Sequence, residues 1–355
     1  MTRISDETLA HLREVADWPD LGSTRYEVRE RLARGGMGTV YVARDRDLER
    51  DVALKVLSLP GSGPEAAARM LREARIIAQL EHPGIVPVHD VGTLPDGRVF
   101  YAMKLVGGSR LDHLLRRGRP LSELLGIFLR ICEPVAFAHA HGVIHRDLKP
   151  ENVMVGAFGE VLVMDWGVAK VLRQPESEPA GAVESPGTTE GDTAHGTILG
   201  TPGYMAPEQA RGEVERIDER SDVYALGAIL FFLLSERPPG SREAADTGQK
   251  TRTRPSGAAA AATPLAAPGK MNRTVPRPLQ AICLKALAPE REARYATVQD
   301  LRADVSRFLA SGPVEAYPEG PLERVRRFVR TYRTPIVLIL AYILMRTLLI
   351  IFTGR

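Results

Sequence analysis

Among 355 residues, 47 lysines and arginines nearly balance 44 acidic side chains, and a formal net charge of +3 excludes a surface built as a whole for nucleic acid. Apolar residues make up 44%, enough for a substantial core, and the length allows one large domain or two lobes with extras. The two cysteines, Cys132 and Cys283, stand far apart in apolar helical contexts, which offers neither metal spacing nor a disulfide framework and fits a reducing compartment.

Met1 to Asp20 is mixed and charged, without the apolar run of a signal segment. Leu9, Leu12 and Val15 are spaced for a short leading helix over Ser5–Trp18, an N-terminal extension that ends at residue 25. From Tyr26 to Val106 the pattern predicts strands over Tyr26–Leu32, Thr39–Arg44, Asp51–Val56, Ile85–Val91 and Val99–Leu105. One helix interrupts them, Glu65–Leu80, with Met70, Ile76, Ile77 and Leu80 on its apolar face. From Leu111 to Ala310 the pattern is mostly helical, so a β lobe and a helical lobe with a cleft between them are expected. Arg173–Gly196 and Pro238–Lys270 are rich in small and polar residues and read as mobile insertions.

Four short stretches carry chemistry. Leu32-Ala33-Arg34-Gly35-Gly36-Met37-Gly38-Thr39-Val40 places glycines between two strands, where backbone N–H groups can approach phosphate oxygens; an ordinary hairpin turn is the alternative. Lys55, inside the apolar strand Val52-Ala53-Leu54-Lys55, needs a partner if buried, and Glu73 on the next helix can supply a carboxylate unless it lies on a solvated face. In His145-Arg146-Asp147-Leu148-Lys149-Pro150-Glu151-Asn152, Asp147 can accept the proton of an attacking hydroxyl. Lys149 can neutralise a transferring phosphoryl group, Asn152 can hold Mg²⁺, and His145 reads as backbone support. Asp165, in Met164-Asp165-Trp166-Gly167, suits Mg²⁺, which prefers few carboxylates plus phosphate oxygens.

Taken in order with Gly200-Thr201-Pro202-Gly203-Tyr204-Met205-Ala206-Pro207-Glu208, this set resembles the protein kinase family over Tyr26 to Leu309. His82-Pro83-Gly84-Ile85-Val86, Cys283-Leu284-Lys285-Ala286 and Arg294-Tyr295 resemble bacterial membrane-linked Ser/Thr kinases of the eukaryotic-like type. The resemblance implies an α+β, two-lobed fold, N-lobe 26–106 and C-lobe 107–310. It implies non-specific Ser/Thr protein kinase activity with ATP and Mg²⁺ (Mn²⁺ as an alternative), protein substrates that include the kinase itself, and no nucleic-acid partner. It gives Lys55 the ATP phosphates and Glu73, and Asn152 and Asp165 the metal. Leu32, Val40, Ala53 and Met154 would sandwich adenine, Met103 would stand as gatekeeper, and the backbone of Lys104 and Val106 would read the adenine edge. Asp222 would prop the catalytic loop, and Glu208 with Arg294 would form a buried ion pair. Lys149 and Thr201 match the Ser/Thr-specific pattern. Arg146 would receive a phosphate on the activation loop, with Thr193 and Thr197 the best-placed acceptors, ahead of Thr188, Thr189 and Ser185.

The chain departs from the family at Ala33, in place of the first glycine, at Trp166, in place of phenylalanine, and in an unusually long loop from Asp165 to Glu208. None removes a catalytic group. A nucleotide-gated scaffold without transfer is a second reading, and the complete set Lys55, Glu73, Asp147, Asn152 and Asp165 speaks against it. A dinucleotide-binding enzyme fails because a strand, not a helix, follows the glycines.

After Leu309 comes a basic linker, 311–335, with Arg324, Arg326, Arg327, Arg330 and Arg333, and then the apolar block Ile336–Phe352. Twelve Leu, Ile, Val and Phe residues favour membrane insertion by about −5 kcal/mol in total, against roughly +3 for Arg346. A single-pass cell-membrane helix over 336–352 is therefore expected, with the arginines and the kinase domain on the cytoplasmic side. An amphipathic helix on a partner or on the bilayer surface is the alternative.

Overall fold

The computed structural model describes residues 18–35, 38–57, 63–114, 118–166, 170–171, 203–237, 239 and 275–353. The leading helix and most of both insertions lie outside the described residues, as do Gly36, Met37, Thr193, Thr197 and Thr201.

The N-terminal lobe is a five-stranded antiparallel sheet in the order β1-β2-β3-β5-β4, made of β1 (Tyr26–Arg34), β2 (Gly38–Asp45), β3 (Arg50–Leu57), β4 (Val88–Thr93) and β5 (Val99–Lys104). One face closes over Tyr26, Tyr41, Leu54 and Phe100, and the other packs on helix α1 (Gly63–Gln79). Met70 and Ile77 of α1, and Leu80 just past its end, are buried at helical spacing, and Glu73 falls on the same stripe, 2% exposed. Gly38 permits the β2–β3 approach, since a Cβ there would lie 2.7 Å from the Val56 carbonyl oxygen.

The strand expected over Ile85–Val91 begins only at Val88. Pro87 has no N–H for a ladder, so the preceding residues form a turn in which Ile85 N–H donates to His82 O at 2.9 Å. That turn docks on the second lobe: Val163 N–H donates to Gly84 O at 2.8 Å, and Ile85 bridges Val163. Gly84 lies so close to Pro134 that a Cβ would stand 2.9 Å from the ring.

The second lobe is helical around a single large core. Strand β6 (Ser109–Arg110) and the short helix α2 (Leu111–Leu114) lead into α3 (Leu121–Ala140), followed by β7 (Val143–Ile144), β8 (Val153–Val155), β9 (Val161–Val163) and β10 (Lys170–Val171). Then come α4 (Pro207–Ala210), α5 (Glu219–Ser235), α6 (Arg277–Ala286) and α7 (Val298–Leu309). Helix α5 is buried along nearly its whole length and is capped by Asp218, whose carboxylate accepts the Arg220 N–H at 2.9 Å. Helix α7 starts in a capping box of Thr297 and Asp300. The two-lobed α+β fold is thus the one expected. The chain continues into α8 (Pro321–Thr331) and α9 (Arg333–Thr353). Among the described residues no single helix is long and apolar enough to cross a membrane; Pro321–Val329 and Arg333–Leu349 pass the length and composition test only as a pair, bent by 74°.

Candidate active site

Three parts of the chain meet between the lobes. Register on the sheet sets the first. Lys55 stands opposite Val40 on β2 and Tyr101 on β5. Its Nζ donates to Glu73 Oε1 at 2.8 Å and to Asp165 Oδ1 at 3.4 Å. Burial alone would lower the Lys55 pKa, but the Glu73 and Asp165 carboxylates outweigh it and hold the ammonium above its usual range. Glu73 therefore lies inside, not on a solvated helix face.

The β8–β9 hairpin sets the second part. Val153 pairs with Val163, and Met164 N–H donates to Asn152 O at 2.8 Å, which sets Asn152 and the residue after Met164, Asp165, at the same open end of the hairpin. Asn152 Nδ2 donates to Asp147 O at 2.8 Å and to Asp147 Oδ2 at 3.3 Å, so its Oδ1 is the amide atom left to accept or ligate. Asp165 has a φ of 60°, a left-handed conformation uncommon outside glycine, and so does Arg146 with a φ of 68°. Asp165 is about half exposed.

The third part is the loop around Asp147. Lys149 Nζ donates to Asp147 Oδ2 at 2.7 Å, which leaves Oδ1 without a partner among the described residues. Beneath it, Asp222 of α5 is fully buried and accepts three hydrogen bonds: from the His145 N–H at 2.8 Å, the Arg146 N–H at 2.9 Å and His139 Nε2 at 2.8 Å. Burial would raise the Asp222 pKa, yet the bond from His139 and the neighbouring donors outweigh it and hold the group below the carboxylate range. His145 is held by three contacts. Its Nε2 meets Met164 O at 3.0 Å, its Nδ1 accepts the Asp147 N–H at 3.3 Å, and its ring packs on Trp166 at 4.6 Å.

Outside the cleft, Arg294 and Glu208 form a two-pronged ion pair, 2.8 Å on each side, that is closed to solvent. Burial would raise the Glu208 pKa, but Arg294 and Ser221 hold it below the usual carboxylate range.

The residues expected around adenine do not all gather in one cluster. Ala53 and Met103 are buried in one apolar cluster with Leu162, against which Val40, Leu105, Val106 and Met164 pack. Met154 pairs with Leu162 across β8–β9, whereas Leu32 is exposed. The Lys104 N–H donates to Pro87 O at 3.1 Å, so that group is not open to a ligand. Ala33 and Arg34 continue β1 opposite Val40 and Thr39, and Gly35 N–H donates to Gly38 O at 2.9 Å to close the turn.

Sequence reasoning missed three residues. Tyr101 donates its hydroxyl to Glu73 Oε1 at 2.8 Å and is 2% exposed. Gln209 donates to Arg146 O at 2.8 Å. His139 reaches Asp222 from the last turn of α3. Only a hydroxyl on a strand read as apolar could have flagged Tyr101, and its target depends on register.

The residues present fit a nucleotide with a divalent cation. Among the described residues no three His, Cys, Asp or Glu side chains could hold a metal by themselves. Asp165 and the Asn152 amide oxygen instead offer the sparse oxygen set that Mg²⁺ accepts when phosphates complete its shell.

A β-rich lobe with an ion-paired lysine, set across a cleft from a helical lobe that carries an Asp–Lys–Asn cluster, is the arrangement of protein kinases, and the chain belongs to that family: the protein kinase domain matches residues 26–305. It is 36% identical over 301 residues to the serine/threonine-protein kinase PknD of Protochlamydia amoebophila, covering 80% of this chain and 30% of that protein. It is 37% identical over 293 residues to PknB of Mycolicibacterium smegmatis, covering 80% of this chain and 43% of PknB. The chain thus spans less than half the length of these curated relatives. The crystal structure of the Mycobacterium tuberculosis PknI kinase domain superposes with a TM-score of 0.55 at 25% identity, covering 81% of this chain and 96% of that one.

Proposed function

We propose that the chain is a Ser/Thr protein kinase that moves the γ-phosphate of ATP to protein hydroxyls, its own among them. The observation that carries this reading is the pair of polar clusters Glu73–Lys55–Asp165 and Asp147–Lys149–Asn152, each member fixed by a named contact and the two joined through the Met164 N–H to Asn152 O bond. Lys55 takes up the ATP phosphates while Glu73 keeps it in place. Asp147, through its open Oδ1, accepts the proton of the attacking Ser or Thr hydroxyl. The Ser or Thr oxygen bonds to the γ-phosphorus, the bond from γ-phosphorus to the bridging oxygen breaks, and ADP leaves with the electron pair. Lys149 neutralises the transferring group. Asn152 and Asp165 would hold Mg²⁺, or Mn²⁺, which would neutralise phosphate charge. Val40, Ala53 and Met154, with Leu32 above, enclose adenine beside Met103, and the stretch from Ala33 to Thr39, with Gly36 and Met37, covers the phosphates. Leu162 joins that floor. Arg146 meets a phosphate on Thr193 or Thr197, and Thr201 supports the Asp147–Lys149 pair. Residues 26–310 form the kinase domain.

The second half of the reading is an anchor: 336–352 holds the kinase domain at the cytoplasmic face of the cell membrane. The long apolar side chains of α9 support it, since Leu338, Leu340 and Leu344 are among many left exposed.

The test of transfer is the purified full chain with radiolabelled ATP and Mg²⁺, beside Asp147→Asn. The variant should bind nucleotide yet label itself and a generic substrate at least about 100-fold more slowly. Transfer at the parent rate would overturn the assignment.

A further inference from the structure

Between the kinase lobe and α9 lies α8, and its side chains divide by face. Leu322, Val325 and Phe328, spaced three apart, are 84%, 61% and 58% exposed, and Tyr332 continues their stripe. The other face is tied to the lobe: Glu323 accepts the Tyr317 hydroxyl at 3.0 Å, and Arg327 Nε donates to Glu319 Oε2 at 2.9 Å. That attachment is firm. Val314 is buried in the C-lobe core, and the N–H groups of Glu315 and Ala316 donate to the fully buried Asp304 at 2.8 and 3.0 Å. The apolar stripe of α8 is therefore held away from the protein. Five arginines lie between positions 324 and 333, against the single acid Glu323.

We propose that α8 lies in the plane of a bilayer interface and binds a leaflet with anionic headgroups, its apolar stripe entering the acyl boundary and its arginines meeting the phosphates. Charge complementarity selects the occupant. A polybasic helix with an exposed apolar face suits an anionic lipid surface. Continuity selects it too, because α8 and α9 meet at 74°, the angle expected when one helix enters the bilayer and the other runs along its surface. This inference rests on the anchor reading for α9, and it adds that α8 fixes the height and tilt of the kinase lobe over the membrane.

The experiment uses the full chain reconstituted in vesicles of phosphatidylcholine alone or with phosphatidylglycerol. Cys132 and Cys283 are buried and leave introduced thiols distinct. An environment-sensitive label on Val325→Cys is compared with one on Leu48→Cys, exposed in the β2–β3 turn of the other lobe. On phosphatidylglycerol vesicles the Val325 label should shift to the blue and lose its quenching by aqueous iodide, while the Leu48 label should do neither. Arg324→Gln in α8 combined with Arg333→Gln at the start of α9 should weaken that dependence on anionic lipid. If the chain fails to stay with vesicles through a carbonate wash, the anchor reading falls and the inference with it. If the chain stays but the Val325 label remains quenched on both vesicles, the anchor stands and the inference is overturned. Equal protection on phosphatidylcholine alone would mean that the stripe is covered without anionic headgroups, and would also overturn it.

Discussion

Replacing Arg294 with alanine breaks the buried Arg294–Glu208 ion pair of the C-lobe. Its guanidinium makes two 2.8 Å bonds to Glu208 and also donates to the carbonyls of Ala288, Pro289 and Arg220 at 2.8, 3.0 and 3.0 Å. It lies 5.0 Å from the centre of the Tyr224 ring. In Arg294→Ala, Glu208 stays buried with the Ser221 hydroxyl as its remaining side-chain partner, at 2.7 Å. Removing one member of a buried pair costs about 3–5 kcal/mol, chiefly from the charge left behind. For a domain of this size that corresponds to a fall in Tm of roughly 6–20 °C. The assay is thermal unfolding of the parent, Arg294→Ala, Glu208→Ala and the double variant, followed by calorimetry and circular dichroism. The double variant should recover part of the loss, because no charge is then stranded. A fall in Tm below about 2 °C for Arg294→Ala, or strict additivity in the cycle, would refute the reasoning.

Tyr101→Phe keeps the packing and removes one bond to the Glu73 carboxylate; kcat/KM for ATP should fall about ten-fold with Tm little changed, and an unaltered kcat/KM would show that Lys55 alone positions Glu73. Asp304 has a pKa below the carboxylate range, because burial, which would raise it, is outweighed by the Glu315 N–H, Tyr295, Arg307 and the Ala316 N–H. Its folded pKa is depressed, so its contribution is present above the unfolded value of about 4 and is lost as pH falls through the folded one. Asp304→Asn should flatten the acid limb of a Tm-against-pH curve, and an unchanged limb would count against it. Mass spectrometry after incubation with ATP should find phosphate on Thr193 or Thr197, and Thr193→Ala/Thr197→Ala should be less active; an active parent free of phosphate at both sites, with a fully active variant, would exclude them.

The chain order of motifs determines a great deal here. A glycine turn between strands, a lysine in an apolar strand and the uninterrupted run His145 to Asn152 identify the fold and mark the residues proposed to react, because that chemistry tolerates few residue types at those spacings. Glu73 was also within reach, as a carboxylate on the Met70–Ile77–Leu80 stripe. Tyr101 was not: its role follows from lying opposite Lys55 across β3–β5, and register is a property of the folded sheet. The same holds for His139 and Gln209, whose partners are 83 and 63 residues away. The end of the strand at Val88 was legible in Pro87, but the docking of the Gly84 turn on Val163 joins segments of opposite lobes. Composition likewise marks 311–352 as basic and then apolar, while the outward stripe of α8 depends on Asp304 fixing residues 315 and 316 to the lobe and on Glu319 holding Arg327. Local spacing encodes which groups are present; which of them face one another depends on contacts between distant segments, and only packing creates those.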